Sequence, residues 1–284
     1  MTVVELTAGP VAYADSGGPG PTVVLLHGLM TDGGLWDRVV ADLAAEHRCI
    51  VPTLPLGAHR FGMHADADLS LGGIAELAAE FLERLDLTDV VLVGNDTGGA
   101  LVQLMLGTTS ATSRVRRIVL VSCDAFDNYP PGLTGRTLVA LGRLTPSMFG
   151  AFMQQMRVRM VRRLPIAFGW LTKRGDAVTA RCMAPVLHQR EIRRDIVRTL
   201  RAARVDADRL RTASAAMSAF TGPALVVWAA EDRVMPPAHG RRLADLMPGG
   251  RFVEVHDSYT LIPLDQPDVL TQQIAGFVAA TAVG

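Results

Sequence analysis

Residues 91–100, VLVGNDTGGA, are the stretch that decides the fold. An apolar, β-branched run ends at Val93, and a Gly-x-Asp-x-Gly pattern then leads into residues with helical periodicity. Glycines two positions before and after Asp96 allow a strained strand–turn–helix connection, with the apex side chain exposed above the helix N-terminus. The stretch predicts a nucleophile elbow with Asp96 at its apex; an ordinary glycine-rich turn or phosphate loop is the alternative.

Strand-like and helix-like patterns alternate on both sides of this elbow. The apolar runs that predict strands are 3–6, 11–14, 22–26, 49–51, 90–93, 117–121, 224–228 and 252–255. Helical periodicity marks residues 72–85, the stretch from the elbow to about 106, residues 238–246 and the chain from about 268. This alternation predicts an α/β fold with a mostly parallel central sheet flanked by helices.

The alternation stops between Tyr129 and Phe220, where the pattern is helical and broken by prolines. We therefore expect residues 1–128 and 221–284 to form the α/β core, and residues 129–220 to form an inserted helical lid. Such a lid would cover the carboxyl ends of the strands, where sheets of this type bind ligands. Within it, two apolar stripes are expected to pack inward: Met153, Met156, Met160 and Leu164, and then Ile192, Ile196 and Leu200.

Composition excludes several classes of protein. The 284 residues carry 28 basic and 28 acidic side chains, which argues against a nucleic-acid partner. Three distant cysteines and no HExxH motif predict neither a disulfide framework nor a metal site, and no cofactor is expected. The first residues lack a basic and an apolar segment, and the sequence has no apolar run of about 18 residues. We therefore expect no signal peptide, no membrane partner, a cytoplasmic location and a monomer or homodimer.

Two further motifs carry a resemblance to a known family. His-Gly at 27–28 directly follows an early strand, and residues 227–236 read VWAAEDRVMP. With the aspartate elbow, these motifs resemble the α/β-hydrolase superfamily, in particular its haloalkane dehalogenase and epoxide hydrolase branch. The resemblance implies that the backbone N–H groups of Leu29 and Thr97 form an oxyanion hole, and that Asp232 orients a catalytic histidine.

That histidine is missing from its usual place. The resemblance puts it on the loop after the last strand, where residues 252–263 read FVEVHDSYTLIP and Thr260 occupies the slot. His256, four positions earlier at the strand end, is the other candidate base. A threonine cannot accept a proton near neutral pH, so an ester formed on Asp96 would not be hydrolysed with help from this position.

Asp124 is a further catalytic candidate, because it follows the strand at 117–121 on the sheet edge that carries the elbow. Two nearby carboxylates raise the pKa of one of them, and such a pair can perform acid–base chemistry without histidine. The alternative is that Asp124 caps the loop that leads into the lid.

The expected substrate is a small, largely apolar molecule, because the lid is rich in methionine and aromatic residues. The candidate substrate-binding residues are His27, Asn128, Tyr129, Phe152, Met156, Trp170 and Thr260. Each has a structural alternative: His27 could pack the loop, and the lid residues could pack against one another.

The lid is basic. Between Arg136 and Arg211 there are 17 Lys and Arg against 5 Asp and Glu, so the lid carries +12 and the rest of the chain −12. Arginines at 190, 194, 198 and 201 follow helical spacing, which is typical of a solvated amphipathic face. The alternative is that the basic lid attracts an anionic substrate or an acidic carrier protein.

Three functions remain open from the sequence. The first is a hydrolase in which Asp96 is the nucleophile or a base that activates water. The second is a non-hydrolytic cyclase or lyase in which Asp96 transfers protons, and the third is a ligand-binding member that has lost turnover. The fold cannot choose among them.

Overall fold

The computed structural model describes residues 1–108 and 110–281. Within this part of the chain, eight strands form one sheet in the order β1-β2-β4-β3-β5-β6-β7-β8. The strands are β1 (Thr2–Leu6), β2 (Gly9–Asp15), β3 (Thr22–Leu26), β4 (Arg48–Thr53), β5 (Val90–Asp96), β6 (Val115–Cys123), β7 (Ala224–Ala229) and β8 (Gly250–Val255).

The sheet is mostly parallel, as the sequence predicts. β1 pairs with β2 and β2 with β4 in antiparallel fashion, and every other neighbouring pair is parallel. β3, β5 and β7 are buried along nearly their whole length because helices cover both faces of the sheet. The predicted α/β architecture is therefore confirmed.

Twelve α-helices lie in the same described residues. They are α1 (Asp37–Leu43), α2 (Leu71–Arg84), α3 (Thr97–Thr108), α4 (Gly132–Leu141), α5 (Pro146–Met153), α6 (Arg159–Arg162), α7 (Asp176–Cys182), α8 (Ala184–His188), α9 (Arg190–Ala216), α10 (Pro237–Leu246), α11 (Ile262–Asp265) and α12 (Pro267–Ala280). Helices α4 to α9 all fall between β6 and β7, within the segment expected to form the lid.

One of the two predicted lid stripes is wrong. α5 ends at Met153, a 3-10 turn follows, and Val158 is extended with φ −83° and ψ 121°. The helical register therefore does not continue to Met160, which is 80% exposed, or to Leu164, which is also exposed. The second stripe is confirmed, since Ile192, Ile196 and Leu200 are all buried on α9.

The first half of α9 is attached to the core by polar contacts. Asp195 is fully buried and accepts the backbone N–H of Met63 at 2.8 Å. Arg194 and Arg198 bond to Asp195, and their guanidinium groups also donate to backbone carbonyls of residues 63–67. Arg201 donates to the carbonyls of Gly142 and Leu144 in the α4–α5 connection. Much of the expected solvated face is therefore used to hold the lid in place.

The second half of α9 packs on the core helices. Ser214 Oγ accepts the backbone N–H of Phe126 at 2.9 Å and donates to Gln103 Oε1 at 2.7 Å. Asp206 is buried near the start of α2, and Arg209 donates to Ser70 Oγ, on the residue before α2, at 3.1 Å. This half of α9 therefore packs with α3, the helix that follows the elbow.

Candidate active site

The elbow forms where β5 ends at Asp96 and α3 begins at Thr97. Asp96 has a φ of +56°, the strained left-handed conformation expected at the apex. A Cβ on Gly94 would lie 2.4 Å from the carbonyl oxygen of Gly98, and one on Gly98 would lie 2.3 Å from that of Leu26. Both positions need glycine because the backbone segments approach so closely.

The Asp96 carboxylate points back toward the loop after β3. A Cβ on Gly28 would lie 2.0 Å from Asp96 Oδ2, so only glycine leaves room for this carboxylate. Burial raises the pKa of Asp96 to about 7; the backbone N–H groups of Thr97 and Leu29 act to lower it and the charge of Asp232 to raise it. The two N–H groups expected to form an oxyanion hole thus act on the Asp96 carboxyl itself and favour its ionised form.

Asp232 faces Thr260 and not a histidine. Thr260 Oγ1 donates to Asp232 Oδ1 at 2.8 Å, and the same oxygen accepts the N–H groups of Val234 and Met235 at 2.9 and 2.8 Å. Burial raises the pKa of Asp232 to about 6 despite these donors. Thr260 is fully buried, so the side chain that meets Asp232 is a hydroxyl.

The Thr260 loop is fixed by Asn95, the residue before the apex. Asn95 Nδ2 donates to the carbonyl of Thr260 at 2.8 Å and to that of Val121 at 2.9 Å. His256 lies four residues earlier, exposed at the end of β8. The structure therefore brings Thr260, and not His256, together with Asp232.

Asp124 lies beneath the elbow and is fully buried. Its Oδ2 is 3.1 Å from Thr97 Oγ1, and its Oδ1 is a buried oxygen without a hydrogen-bond partner in the described structure. Burial raises the pKa of Asp124 well above its usual value, and the nearby charges of Asp96 and Asp232 act in the same direction. Three carboxyl groups thus share one buried region, and Asp124 favours its neutral form.

A cavity of about 1130 Å³, counting its open mouth, extends from Asp96 and Thr97 into the lid. Three of the predicted substrate-binding residues line it: Tyr129, Phe152 and Met156. Of the charged side chains, only Asp96 is among the described residues of its wall, so no Lys or Arg of the basic lid lines it. The interior therefore suits a neutral, largely apolar molecule.

The other predicted substrate-binding residues lie outside the described cavity wall. His27 is fully buried; its Nδ1 lies 2.9 Å from the carbonyl of Gly28, and its Nε2 accepts the N–H of Leu54. Both ring nitrogens are therefore used to shape the loop after β3, and burial lowers the pKa of this histidine.

Asn128 also has a structural contact, since its Nδ2 donates to the carbonyl of Val234 at 3.0 Å and so ties the start of the lid to the Asp232 loop. Trp170 is half-buried and packs against the core, and Thr260 is engaged by Asp232.

Several wall residues were not predicted from the sequence. They are apolar residues from separate elements: Met30, Leu138, Leu141, Leu171, Met183, Leu200 and Val234. Met30 has a left-handed backbone conformation, with a φ of +58°, next to the predicted oxyanion loop. The others resemble ordinary core residues in sequence, because only the packing of the lid helices brings them together.

The described residues contain neither a metal-binding cluster nor a membrane-spanning helix. No group of three or more His, Cys, Asp or Glu side chains there could hold a metal ion. None of the helices in residues 1–108 and 110–281 is long and apolar enough to cross a membrane.

Comparison with known proteins gives a consistent picture. A family model described as the alpha/beta hydrolase fold matches residues 21–267. A haloalkane dehalogenase of Mesorhizobium japonicum is 36% identical over 98 residues, covering 34% of this chain and 31% of that protein. The magnesium-chelatase 30 kDa subunit of Rhodobacter capsulatus is 30% identical over 168 residues, covering 52% of this chain and 54% of the subunit. The chain thus spans from about a third to about half the length of these two relatives.

Among solved structures, a haloalkane dehalogenase from Bradyrhizobium elkani superimposes with a TM-score of 0.78. The sequence identity is 19%, and the match covers 98% of this chain and 97% of the other. At this identity the likeness concerns the fold, and the chemistry has to be argued from the residues described above.

Proposed function

The chain belongs to the alpha/beta hydrolase fold family, and from that premise we propose that it is a hydrolase in which Asp96 activates water as a general base. The proposed substrate is a neutral, largely apolar small molecule held in the cavity under the lid. Hydrolysis is the general activity of this family; the role of Asp96 and the substrate class are our own inferences.

One observation carries the role assigned to Asp96: the side chain that meets Asp232 is the hydroxyl of Thr260, where the resemblance would put a histidine. A carboxylate nucleophile needs a second base, because the ester that it forms has to be hydrolysed by activated water. The hydroxyl of Thr260 cannot supply that base, and the exposed His256 lies outside the site. Direct activation of water by Asp96 avoids the ester altogether.

The protonation of Asp96 supports this role. With a pKa of about 7, the carboxylate is partly ionised near neutral pH, and a general base works best when its pKa lies close to the operating pH. Asp96 is also the charged group that reaches the cavity, so it is placed to take a proton from a water beside the substrate.

Asp124 and Thr97 complete the proposed site as a proton donor. Neutral Asp124 can donate through its carboxyl O–H to Thr97 Oγ1 across the 3.1 Å contact, which leaves the threonine hydrogen free to point into the cavity. In the proposed step, Asp96 takes a proton from water, the hydroxide attacks the electrophilic carbon, and the leaving oxygen receives the Thr97 proton. The Asp124 proton then restores Thr97, and Asp124 becomes a carboxylate.

A single-turnover reaction in oxygen-18 water tests the role of Asp96. The enzyme is used in excess over each of two apolar probes: styrene oxide and a bromoalkane. Attack by activated water places oxygen-18 in the first product formed and leaves the Asp96 peptide unlabelled. If Asp96 is instead a nucleophile, that product receives unlabelled oxygen, and the Asp96 peptide gains the label or carries a covalent adduct.

Matched variants complete this experiment. Asp96→Asn should abolish turnover, because an amide cannot accept the proton. Asp66→Asn makes the same chemical change at an exposed position and should leave turnover unchanged. Equal activity in both variants would contradict any catalytic role for Asp96.

Non-hydrolytic proton transfer is the second candidate, and one observation favours it. The N–H groups of Leu29 and Thr97 lower the pKa of Asp96, so they act on this carboxyl where an oxyanion hole would act on an attacked carbonyl. An elimination, isomerisation or cyclisation needs only the base and the proton donor. A product without oxygen-18 after complete conversion would select this candidate.

A further inference from the structure

Exposed apolar side chains are concentrated in residues 152–166 of the lid, part of which lines the cavity. Phe152, Leu164 and Ile166 line the cavity and are also 39 to 43% exposed. Val158 and Met160, on the segment between them, are 53% and 80% exposed. We call these five residues the rim patch. Large apolar side chains that cluster in solvent usually mark a docking surface.

The segment that carries the rim patch is held in a fixed orientation by a buried arginine. Arg162 is only 7% exposed, and its Nη1 donates to the carbonyls of Met156 and Arg157 at 2.8 and 3.0 Å. Its Nη2 lies 3.4 Å from Asp176 at the start of α7. Because Arg162 points inward, the neighbouring Met160 and Arg163 point outward, and their exposure is a built feature of the fold.

The rim patch lies in a purely basic stretch of the chain. Residues 128–175 contain eight Lys and Arg and no Asp or Glu. Arg157 and Arg163 are exposed beside the apolar residues of the patch, and Arg159 is exposed too but pairs with Asp176 at 3.2 Å. Apolar side chains flanked by arginines are the pattern of a surface that inserts shallowly into lipid headgroups.

We propose that the rim patch docks the protein on the surface of an anionic lipid bilayer. The apolar residues would enter the boundary between headgroups and acyl chains, and the arginines would contact the negatively charged headgroups. This is attachment to one face of a membrane, without a spanning helix, and it differs from the expectation of no membrane partner.

Charge and shape favour this occupant over two others. A second copy of the chain would bring two basic patches together, so their like charges would oppose association. An acidic protein would satisfy the arginines but would close the cavity mouth. An anionic bilayer would pair with the arginines and leave the cavity mouth open. The mouth would face the acyl chains, so a lipophilic molecule could pass directly into the apolar cavity. The proposal stands on this surface alone and does not depend on the chemistry at Asp96.

Vesicle flotation with the full chain tests the proposal. We expect binding to phosphatidylcholine vesicles that contain phosphatidylglycerol, much weaker binding to phosphatidylcholine alone, and weaker binding at high salt. Arg157→Gln combined with Arg163→Gln should weaken binding about 25-fold, at roughly fivefold for each arginine near the surface. Met160→Ser should weaken it about tenfold through lost apolar burial.

Controls distinguish the patch from general stickiness. Val205→Ser removes an exposed apolar side chain of α9 (55% exposed), and Arg38→Gln removes an exposed arginine of α1. Neither should change vesicle binding. The proposal is overturned if the wild type does not float with the anionic vesicles or floats equally with both kinds. It also fails if the control variants weaken binding as much as the patch variants, or if Met160→Ser abolishes a dimer in solution while vesicle binding is absent.

Discussion

Replacement of Asp96 by asparagine should make the protein more stable, and increasingly so as the pH rises. The folded protein raises the pKa of this carboxyl from 3.8 to about 7. The folded state therefore holds a proton that the unfolded chain has already lost, and stability falls as the pH rises between these two values. Asparagine has nearly the same shape, carries no proton to lose, and can still accept an N–H from Leu29 or Thr97.

The size of the effect follows from the two pKa values. Because folding raises the pKa of Asp96 from 3.8 to about 7, this carboxyl lowers the free energy of unfolding by about 2 kcal/mol at pH 5 and by about 4 kcal/mol at pH 8. The stability difference between Asp96→Asn and the wild type should therefore grow by roughly 2 kcal/mol over this range. Loss of the Asp96 charge also lowers the pKa of Asp124, which adds to the effect in the same direction.

Urea unfolding of both proteins at pH 5, 6, 7 and 8 measures this difference, with the exposed Asp66→Asn as the matched control. The control should follow the wild type at every pH. A difference between Asp96→Asn and the wild type that is the same at pH 5 and pH 8 would refute the reasoning, because it would mean that Asp96 titrates alike in the folded and unfolded states.

Three other predictions concern buried polar contacts. Thr260→His should raise hydrolysis of a 4-nitrophenyl ester by about 100-fold, because it places a base next to Asp232; unchanged rates would show that position 260 does not face the elbow. Asn95→Ala should lower the free energy of unfolding by about 2–4 kcal/mol, measured by urea unfolding, since two buried carbonyls lose their donor. Asp195→Ala should lower the free energy of unfolding by about 3–5 kcal/mol, because buried partners such as the Met63 N–H lose their acceptor. It should also make α9 more sensitive to limited proteolysis, and unchanged protease resistance would contradict this.

The sheet and its helices could be predicted from the sequence because their patterns are local. Thr22–Leu26 is a continuous apolar run that only a strand buried on both faces explains, and β3 has those bounds. The elbow at Asp96 carries glycines that its backbone geometry requires. α1, in contrast, was not predicted, because Asp37–Leu43 spans only two turns and buries just Val39 and Leu43.

The candidate site was predictable only in part. Asp232 and Thr260 follow adjacent strands, so the sequence could place them near each other, and the structure shows a hydrogen bond between their side chains. The bond between Thr97 and Asp124 depends on how far β6 extends past Val121, which apolar periodicity does not define. The predicted stripe from Met153 to Leu164 was wrong for a similar reason. Val158 is extended and interrupts the helical register, and no proline or glycine marks this position in the sequence.

The double attachment of α9 has a consequence for recombining this protein with its relatives. One half of the helix is bonded to the loop at residues 57–68, and the other half bonds to Ser70 before α2 and to Gln103 on α3. A chimaera that exchanges all of residues 129–220 would therefore separate α9 from the partners with which it is matched. A crossover placed between α8 and α9, near Gln189, would exchange the cavity roof and its rim while the recipient kept its own scaffold intact.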